Sequence, residues 1–299
     1  MTPRLNPAQC DAEKNGIIAF LRQRLNPDGR AVIGLSGGID ADVVARLAVD
    51  AIGPQRVKLF TVLQAGLEDK FVTNARQTAA ALGAGLVEID LAAQASGLIA
   101  TLAAADPGQG FLPQGLLDPA RAKSALRTAV HTIYVERGHT VVGTSNRTEW
   151  DIGFFLSLGD GLWHLGPIAH LYKSQVYDLA RHLGCAEQVI GQAPSAGFWP
   201  GETDLEDIAY WLAAGQPIGR DRTWDAEALA TVQRMADVLS FEKIDAVLCR
   251  LAGQPTDEAL VEASNLPLEA VQRLRQLVVA ADAHKKKPLR VTLPPSGQP

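Results

Sequence analysis

Four short apolar runs punctuate the first half of the chain, at residues 31–35, 57–63, 86–90 and 140–142. Each is too short for a helix and ends in small or polar residues, so each reads as a buried strand. Helical periodicity fills the stretches between them. Residues 8–25 carry Ile17, Ile18, Phe20 and Leu21 on an inner side; 42–52 and 69–82 follow, the latter stopping at Gly83. Residues 92–105 are Ala-rich, 106–119 hold three Gly and three Pro and predict a long irregular loop, and 120–137 predict a helix ending at Gly138. Strand and helix alternate, which predicts an α/β fold: a doubly wound parallel sheet with helices on both faces. After residue 200 only helical patterning remains. The division expected is an α/β domain over 1–200 and a helical C-terminal region over 201–299, packed on it and closing its site. No solenoid-length repeat appears.

In such a sheet ligands bind outside the carboxyl ends of the strands. The first strand runs into Ser36-Gly37-Gly38-Ile39-Asp40. Two glycines let backbone approach a bulky anion, and the following helix start offers unpaired N–H groups and a positive dipole end. The loop is not a Walker A loop, because no Gly-Lys-Ser/Thr closes it, and it is not GxGxxG. Taken alone, Ser-Gly-Gly is equally an ordinary strand-to-helix turn, and Asp40 is either a helix cap or a ligand for Mg²⁺. The fourth strand runs into Gly143-Thr144-Ser145-Asn146-Arg147-Thr148-Glu149. Here Thr144 or Ser145 is expected to cap a helix with Glu149 in its early turns, as in a capping box. Two such junctions, each with a carboxylate, would let Asp40 and Glu149 share one Mg²⁺ beside phosphates.

Composition narrows the class. The chain has 299 residues, is 47% hydrophobic and 20% charged, and carries a net charge of −5. That suits an enzyme with a full core and argues against bulk nucleic-acid or membrane-surface binding. Two helices joined at Asn265-Leu266-Pro267 resemble a helix-turn-helix, but the acidic balance lacks the basic face DNA binding requires. Cys10, Cys185 and Cys249 lie far apart with no metal-ligand spacing and read as reduced thiols. No apolar leader follows Met1-Thr2-Pro3-Arg4 and no run spans a bilayer, so a cytoplasmic protein is expected.

Ser36 to Asp40 resembles the SGGxDS signature of the ATP pyrophosphatase (adenine nucleotide alpha hydrolase) superfamily, which cleaves ATP between its α and β phosphates. Further blocks, Gly143 to Glu149, Gly159-Asp160-Gly161, Pro167 to Val176, Pro194 to Asp204 and His284-Lys285-Lys286, resemble in order those of ammonia-dependent NAD synthetase. The resemblance implies an ATP-dependent ligase in which the carboxylate of nicotinic acid adenine dinucleotide is adenylated, pyrophosphate leaves, and ammonia displaces AMP to give NAD. It places Gly34, Leu35, Ser36, Gly37, Gly38, Ile39, Asp40, Ala41, Thr144, Lys173 and Ser195 at ATP. Asp40 and Lys173 would be catalytic, and Asp40 and Glu149 would hold Mg²⁺. Arg127, Ser157, Asp160, His284 and Lys285 would face the second substrate. A homodimer is expected, with the helix after residue 120 as a candidate interface; with no glutaminase-type domain recognised, free ammonia, or ammonia from a partner, is the expected nitrogen source.

The chain departs from the family pattern at several positions. Ala41 replaces the loop's closing Ser, and Asp42 adds an anion near the phosphate site. Where the family has Asn-x-x-x-Arg-x-Arg, this chain has Lys123, Arg127 and Ala129, and Leu156-Ser157 stands for Thr-Lys. The expectation is that Ala129 and Ser157 remove two cations from the substrate's surroundings and that Lys123, one turn before Arg127, replaces part of that charge. Two alternatives therefore stand beside NAD synthesis: a paralogous adenylating ligase acting on another carboxylate, and a catalytically weak nucleotide-binding protein.

Overall fold

The computed structural model describes residues 3–215 and 224–285. In chain order its elements are α1 (Pro7–Leu25), β1 (Arg30–Gly34), α2 (Ile39–Ile52), β2 (Val57–Leu63), α3 (Asp69–Ala81), β3 (Leu86–Asp90), α4 (Gln94–Ala105), α5 (Leu117–Val135), β4 (His139–Val141) and α6 (Arg147–Ile152). There follow α7 (Lys173–His182), α8 (Glu187–Ile190), α9 (Asp204–Ala214), α10 (Ala226–Val238), α11 (Phe241–Leu248), α12 (Asp257–Ser264) and α13 (Leu268–Lys285). The strands form one parallel sheet in the order β3-β2-β1-β4. The expected α/β fold with a parallel sheet is thus present, and β1 and β4, whose loops carry the candidate chemistry, are neighbours.

Local sequence explains most boundaries. Asn6 caps α1 through a capping box with Gln9 (2.9 Å in both directions), and Pro7 occupies the first turn, where its missing N–H costs nothing. β1 has a buried centre, Ala31-Val32-Ile33, as a strand covered on both faces must. α2 begins at Ile39 rather than at 42, so Asp40 lies within its first turn. The expected loop over 106–119 is shorter, because a 3₁₀ turn at Pro107–Gln109 and the start of α5 at Leu117 take up much of it.

Two apolar cores divide the molecule. One gathers α1, α2 and α7 on a face of the sheet, with Leu21, Ile33, Leu47 and Leu179 fully buried. The other lies among α9 to α13, with Ile208, Met235, Ile244, Leu260 and Leu274 at its centre, and it draws in Ile152 from α6 and Tyr172 just before α7. The helical region is therefore anchored on the two short segments that follow β4. Ala270, Val271, Leu274 and Leu277 turn the core face of α13 inward, so the helix-turn-helix likeness of 257–283 ends in a packed helix.

Candidate active site

Gly37 makes the loop after β1 possible. Its φ is +81°, and a Cβ there would stand 2.0 Å from the Phe71 carbonyl oxygen, so only glycine fits. Gly38 then caps α2 with no side chain on the helix N–H groups, which leaves the first turn's donors unspent and facing outward. Across β1 from this loop, Asn146 caps α6. Its Oδ1 accepts from Glu149 N (3.0 Å), and Glu149 Oε2 accepts from Asn146 N (3.2 Å). The cap is Asn146, not Thr144 or Ser145, because it is the residue three before Glu149, the spacing a capping box demands.

That capping pair reaches across to the other loop. The Asn146 amide donates to Asp40 Oδ1 (3.0 Å) and to Glu149 Oε1 (2.6 Å), so one side chain binds both carboxylates. Lys173, at the first position of α7 and only 2% exposed, puts its Nζ on Asp40 Oδ2 and 3.6 Å from Glu149 Oε1. Burial disfavours its ammonium, yet Asp40, Glu149 and Asp204 raise its pKa, so the charge is held. Burial and the Asp40 charge push the Glu149 carboxyl up to about 8. Burial likewise pushes Asp204, at the start of α9, up to about 7 against the lowering pull of Lys173. Three carboxyls thus crowd one ammonium, and a further cation among them would favour the ionised forms that burial resists.

A cavity of about 520 Å³ opens above these groups. It is lined by Gly34, Leu35, Ser36, Gly38, Ile39, Asp40 and Ala41 from the first loop, by Thr144 and Glu149 from the second, and by Lys173, Ser195, Arg127 and Asp160. The expected ATP-side residues therefore surround one space, except Gly37, whose carbonyl turns back to the Asn74 amide (3.3 Å). Ser195 folds its own loop: its Oγ accepts from Gly197 N (3.0 Å) and donates to Glu202 (3.2 Å). Arg127 lies over the Phe198 ring and donates to the Ala196 carbonyl (3.1 Å), while Asp160 accepts from Leu156 N (3.1 Å). The side chains of His284 and Lys285 lie outside the described residues.

The departures look different once placed. Asp42 turns away from the loop into a buried pocket, where it holds Arg46, Thr78 Oγ1 (2.6 Å) and Cys185 Sγ (3.3 Å). It adds no anion to the phosphate site, and beside it burial pushes the Cys185 thiol up to about 12. Lys123 does not face the substrate either. Its buried Nζ donates to the Ala65 and Phe198 carbonyls (2.6 and 2.5 Å), tying the loop after β2 to the loop before α9. Ala129 is exposed, two positions and so about 200° round α5 from the cavity residues Arg127 and His131. Ser157 is not among the cavity's lining residues. The two lost cations therefore leave the walls of this cavity intact.

Sequence reading missed several lining groups. Arg121, Ser124, Thr128 and His131 share the cavity face of α5 at helical spacing, a signal visible once the helix is phased on Arg127. Burial lowers the His131 pKa to about 4, so its ring is neutral against Phe60 (4.9 Å, edge-on). Asp204, Tyr210 and Trp211 enter from α9.

Known proteins resemble this chain over most of its length. The NAD synthase family model matches residues 13–212. An NH₃-dependent NAD⁺ synthetase from Pyrococcus horikoshii is 26% identical over 277 residues, covering 91% of each chain. One from Carboxydothermus hydrogenoformans is 34% identical over 212 residues, 67% of this chain and 84% of the relative. Among solved structures, the NMN synthetase of Francisella tularensis superposes with a TM-score of 0.70 at 23% identity, covering 97% of this chain and 99% of the other. With two thirds of its length inside the family model and its loops converging on one lysine and two carboxylates, the chain belongs to the NAD synthase family, a family of carbon–nitrogen ligases.

Proposed function

We propose that this protein is an ATP-dependent amide ligase that converts nicotinic acid adenine dinucleotide and ammonia to NAD, releasing AMP and pyrophosphate. The observation that carries the reading is the meeting of Asp40, Glu149 and Lys173 where the unspent N–H groups of α2 open into the cavity. A carboxylate oxygen attacks the α-phosphorus and the bond to pyrophosphate breaks. Ammonia then attacks the acyl carbon, loses a proton, and AMP departs. The first step sets anions against an anion, so it needs charge neutralisation more than proton transfer. Lys173 supplies a fixed positive charge, and the first turn of α2 supplies backbone donors for phosphate oxygens.

The donor set fits Mg²⁺. Asp40 and Glu149 would hold it, and the ion would displace the proton that the raised Glu149 pKa keeps there in the empty site. Among the described residues no group of three or more His, Cys, Asp or Glu could hold a metal unaided, so its shell would be completed by phosphate oxygens. When bound, the ion neutralises charge on the phosphates.

Arg127 and Arg121 are the cavity cations available to an acidic second substrate. Since Lys123 is taken by two carbonyls, the charge there is less than the sequence suggests, and another carboxylate is the competing reading. The Francisella tularensis neighbour makes the mononucleotide acid the competitor to offer. Mass spectrometry of products from protein, ATP, Mg²⁺ and ammonia with each acid tests this: NAD from the dinucleotide supports the proposal. NMN alone, or pyrophosphate with neither amide, overturns it. Ala129→Arg with Ser157→Lys is expected to leave the rate in a single chain's cavity unchanged, because neither position lines it.

A homodimer accompanies this reading. Leu98 and Leu102 on α4, Leu112, Leu116, Ile133 on α5 and Leu158 are exposed apolar residues on and beside the α4–α5 pair, with Ile133 56% and Leu158 68% exposed. Light scattering is expected to give twice the chain mass, and Ile133→Asp to shift it toward the monomer. A monomeric mass for the native protein at micromolar concentration would refute the assembly.

A further inference from the structure

Asp245 lies on α11 and is fully buried, among Ile244, Val247, Leu248 and Phe241 of the helical core. A buried carboxylate is costly, and burial raises its pKa. It is held by a hydroxyl and a backbone N–H, not by a cation: its Oδ1 accepts from Thr148 Oγ1 and its Oδ2 from Ser174 N (2.8 Å). Thr148 Oγ1, having given its proton to Asp245, accepts from Lys173 N (2.9 Å). Every proton in the chain has one direction.

The chain answers a local deficiency. α7 starts after Tyr172, which makes no side-chain cap to the helix N–H groups. The first two amides of α7, on Lys173 and Ser174, are instead capped from outside the helix by Thr148 and Asp245. Thr148 directly precedes Glu149, and Lys173 carries the ammonium that faces it at 3.6 Å. One buried carboxylate from the C-terminal helices therefore locks the start of α7 to the start of α6.

We infer that Asp245 is a positioning residue: through Thr148 it sets the separation of Lys173 from Glu149, and thereby the geometry in which ATP is cleaved. The inference rests on the proposed adenylation at this site. It assigns α11 a part in the chemistry although Asp245 does not line the cavity.

The test uses Asp245→Asn, Thr148→Val and Thr148→Ser in the full chain. Asn keeps the volume and one acceptor but presents an amide to the Thr148 hydroxyl or to Ser174 N. Val removes the hydroxyl, and Ser restores it. Asp245→Asn and Thr148→Val are each expected to lower kcat for pyrophosphate release about 100-fold, the cost of a displacement near an ångström, with KM for ATP changed less than about threefold. The double variant should be no slower than the slower single variant, because both break one chain. Thr148→Ser should recover most of the rate. A crystal structure of Thr148→Val should show the Lys173–Glu149 separation altered, which reads positioning without turnover. If Asp245→Asn does not fold, the Val and Ser pair decides. Unchanged kcat, multiplicative losses, no rescue by Ser, or an unchanged separation would each overturn the inference. Wild-type protein that releases no pyrophosphate with either acid would instead overturn the adenylation reading, while the separation still decides the positioning.

Discussion

Replacing Lys173 by Met is expected to cut pyrophosphate release by about 10³-fold, in keeping with loss of a preorganised charge at a transition state that gains negative charge. The same substitution should lower stability by about 3–5 kcal/mol at pH 8, the usual cost of removing one partner from a buried ionic group. Its pH dependence is the sharper signature. Lys173 is 2% exposed, pairs with Asp40 and Glu149 and is close enough to Asp204 for their charges to interact. Even with the lysine present, Glu149 sits at about 8 and Asp204 at about 7. Without it both rise further. A carboxyl whose folded pKa exceeds its unfolded value binds more protons in the folded state, so its contribution to stability is complete below the unfolded pKa and is lost as pH rises through the folded one. Acidifying from pH 8 to pH 6 should therefore restore much of what Lys173→Met loses. His131 works in the opposite sense: lowered to about 4, it costs stability as pH falls from its ordinary value toward 4. That term is common to both proteins and cancels in their difference. Denaturant unfolding of the two proteins at pH 6 and pH 8 measures it, and an equal deficit at both would refute the electrostatic account.

The framework was legible because its signals are short-range. Val57 to Leu63 and Leu86 to Asp90 are apolar runs bounded by turn residues, and both are strands with those limits. Ser-Gly-Gly required a tight turn, and Gly37 with its positive φ makes one. The capping pattern around Glu149 was visible too, although the cap is Asn146, one residue beyond the expected pair. What failed were statements about where side chains point. Asp42 follows Asp40 by two positions and so lies on the other side of α2, where Arg46 one turn on could meet it. Lys123 lies one turn from Arg127, yet its longer reach ends on two carbonyls of loops distant in sequence. Ala129 faces outward for the same phase reason. Asp245 gave no sequence signal, since a single acid in an amphipathic helix reads as solvated, and its partners are 97 and 71 residues away.

Glu149→Gln should separate the needs of the fold from those of the reaction. The glutamate carboxyl is pushed up to about 8 because it lies beside Asp40 and away from water, so ionising it opposes folding. Between pH 5 and pH 9 the wild-type protein without ligand is therefore expected to lose stability as pH rises. Glutamine keeps the side-chain length and one acceptor for the Asn146 cap while removing the ionisation. With each pKa unit worth about 1.4 kcal/mol, and part of it screened because a fifth of the side chain is exposed, the variant should be about 1–3 kcal/mol more stable at pH 9, relative to wild type, than it is at pH 6. Pyrophosphate release should fall by at least about 10²-fold, because on the proposed reading Asp40 alone would be left to hold the cation beside the phosphates. Mg²⁺ with ATP should raise the melting temperature of the wild-type protein and do so much less for the variant. Thermal unfolding at pH 6 and pH 9, with and without the nucleotide, gives the stability terms, and a pyrophosphate assay gives the rate. A variant that keeps the wild-type pH slope would show that Glu149 is not the group resisting ionisation. One that keeps full turnover would show that the empty fold carries this strained carboxylate for some purpose other than ATP.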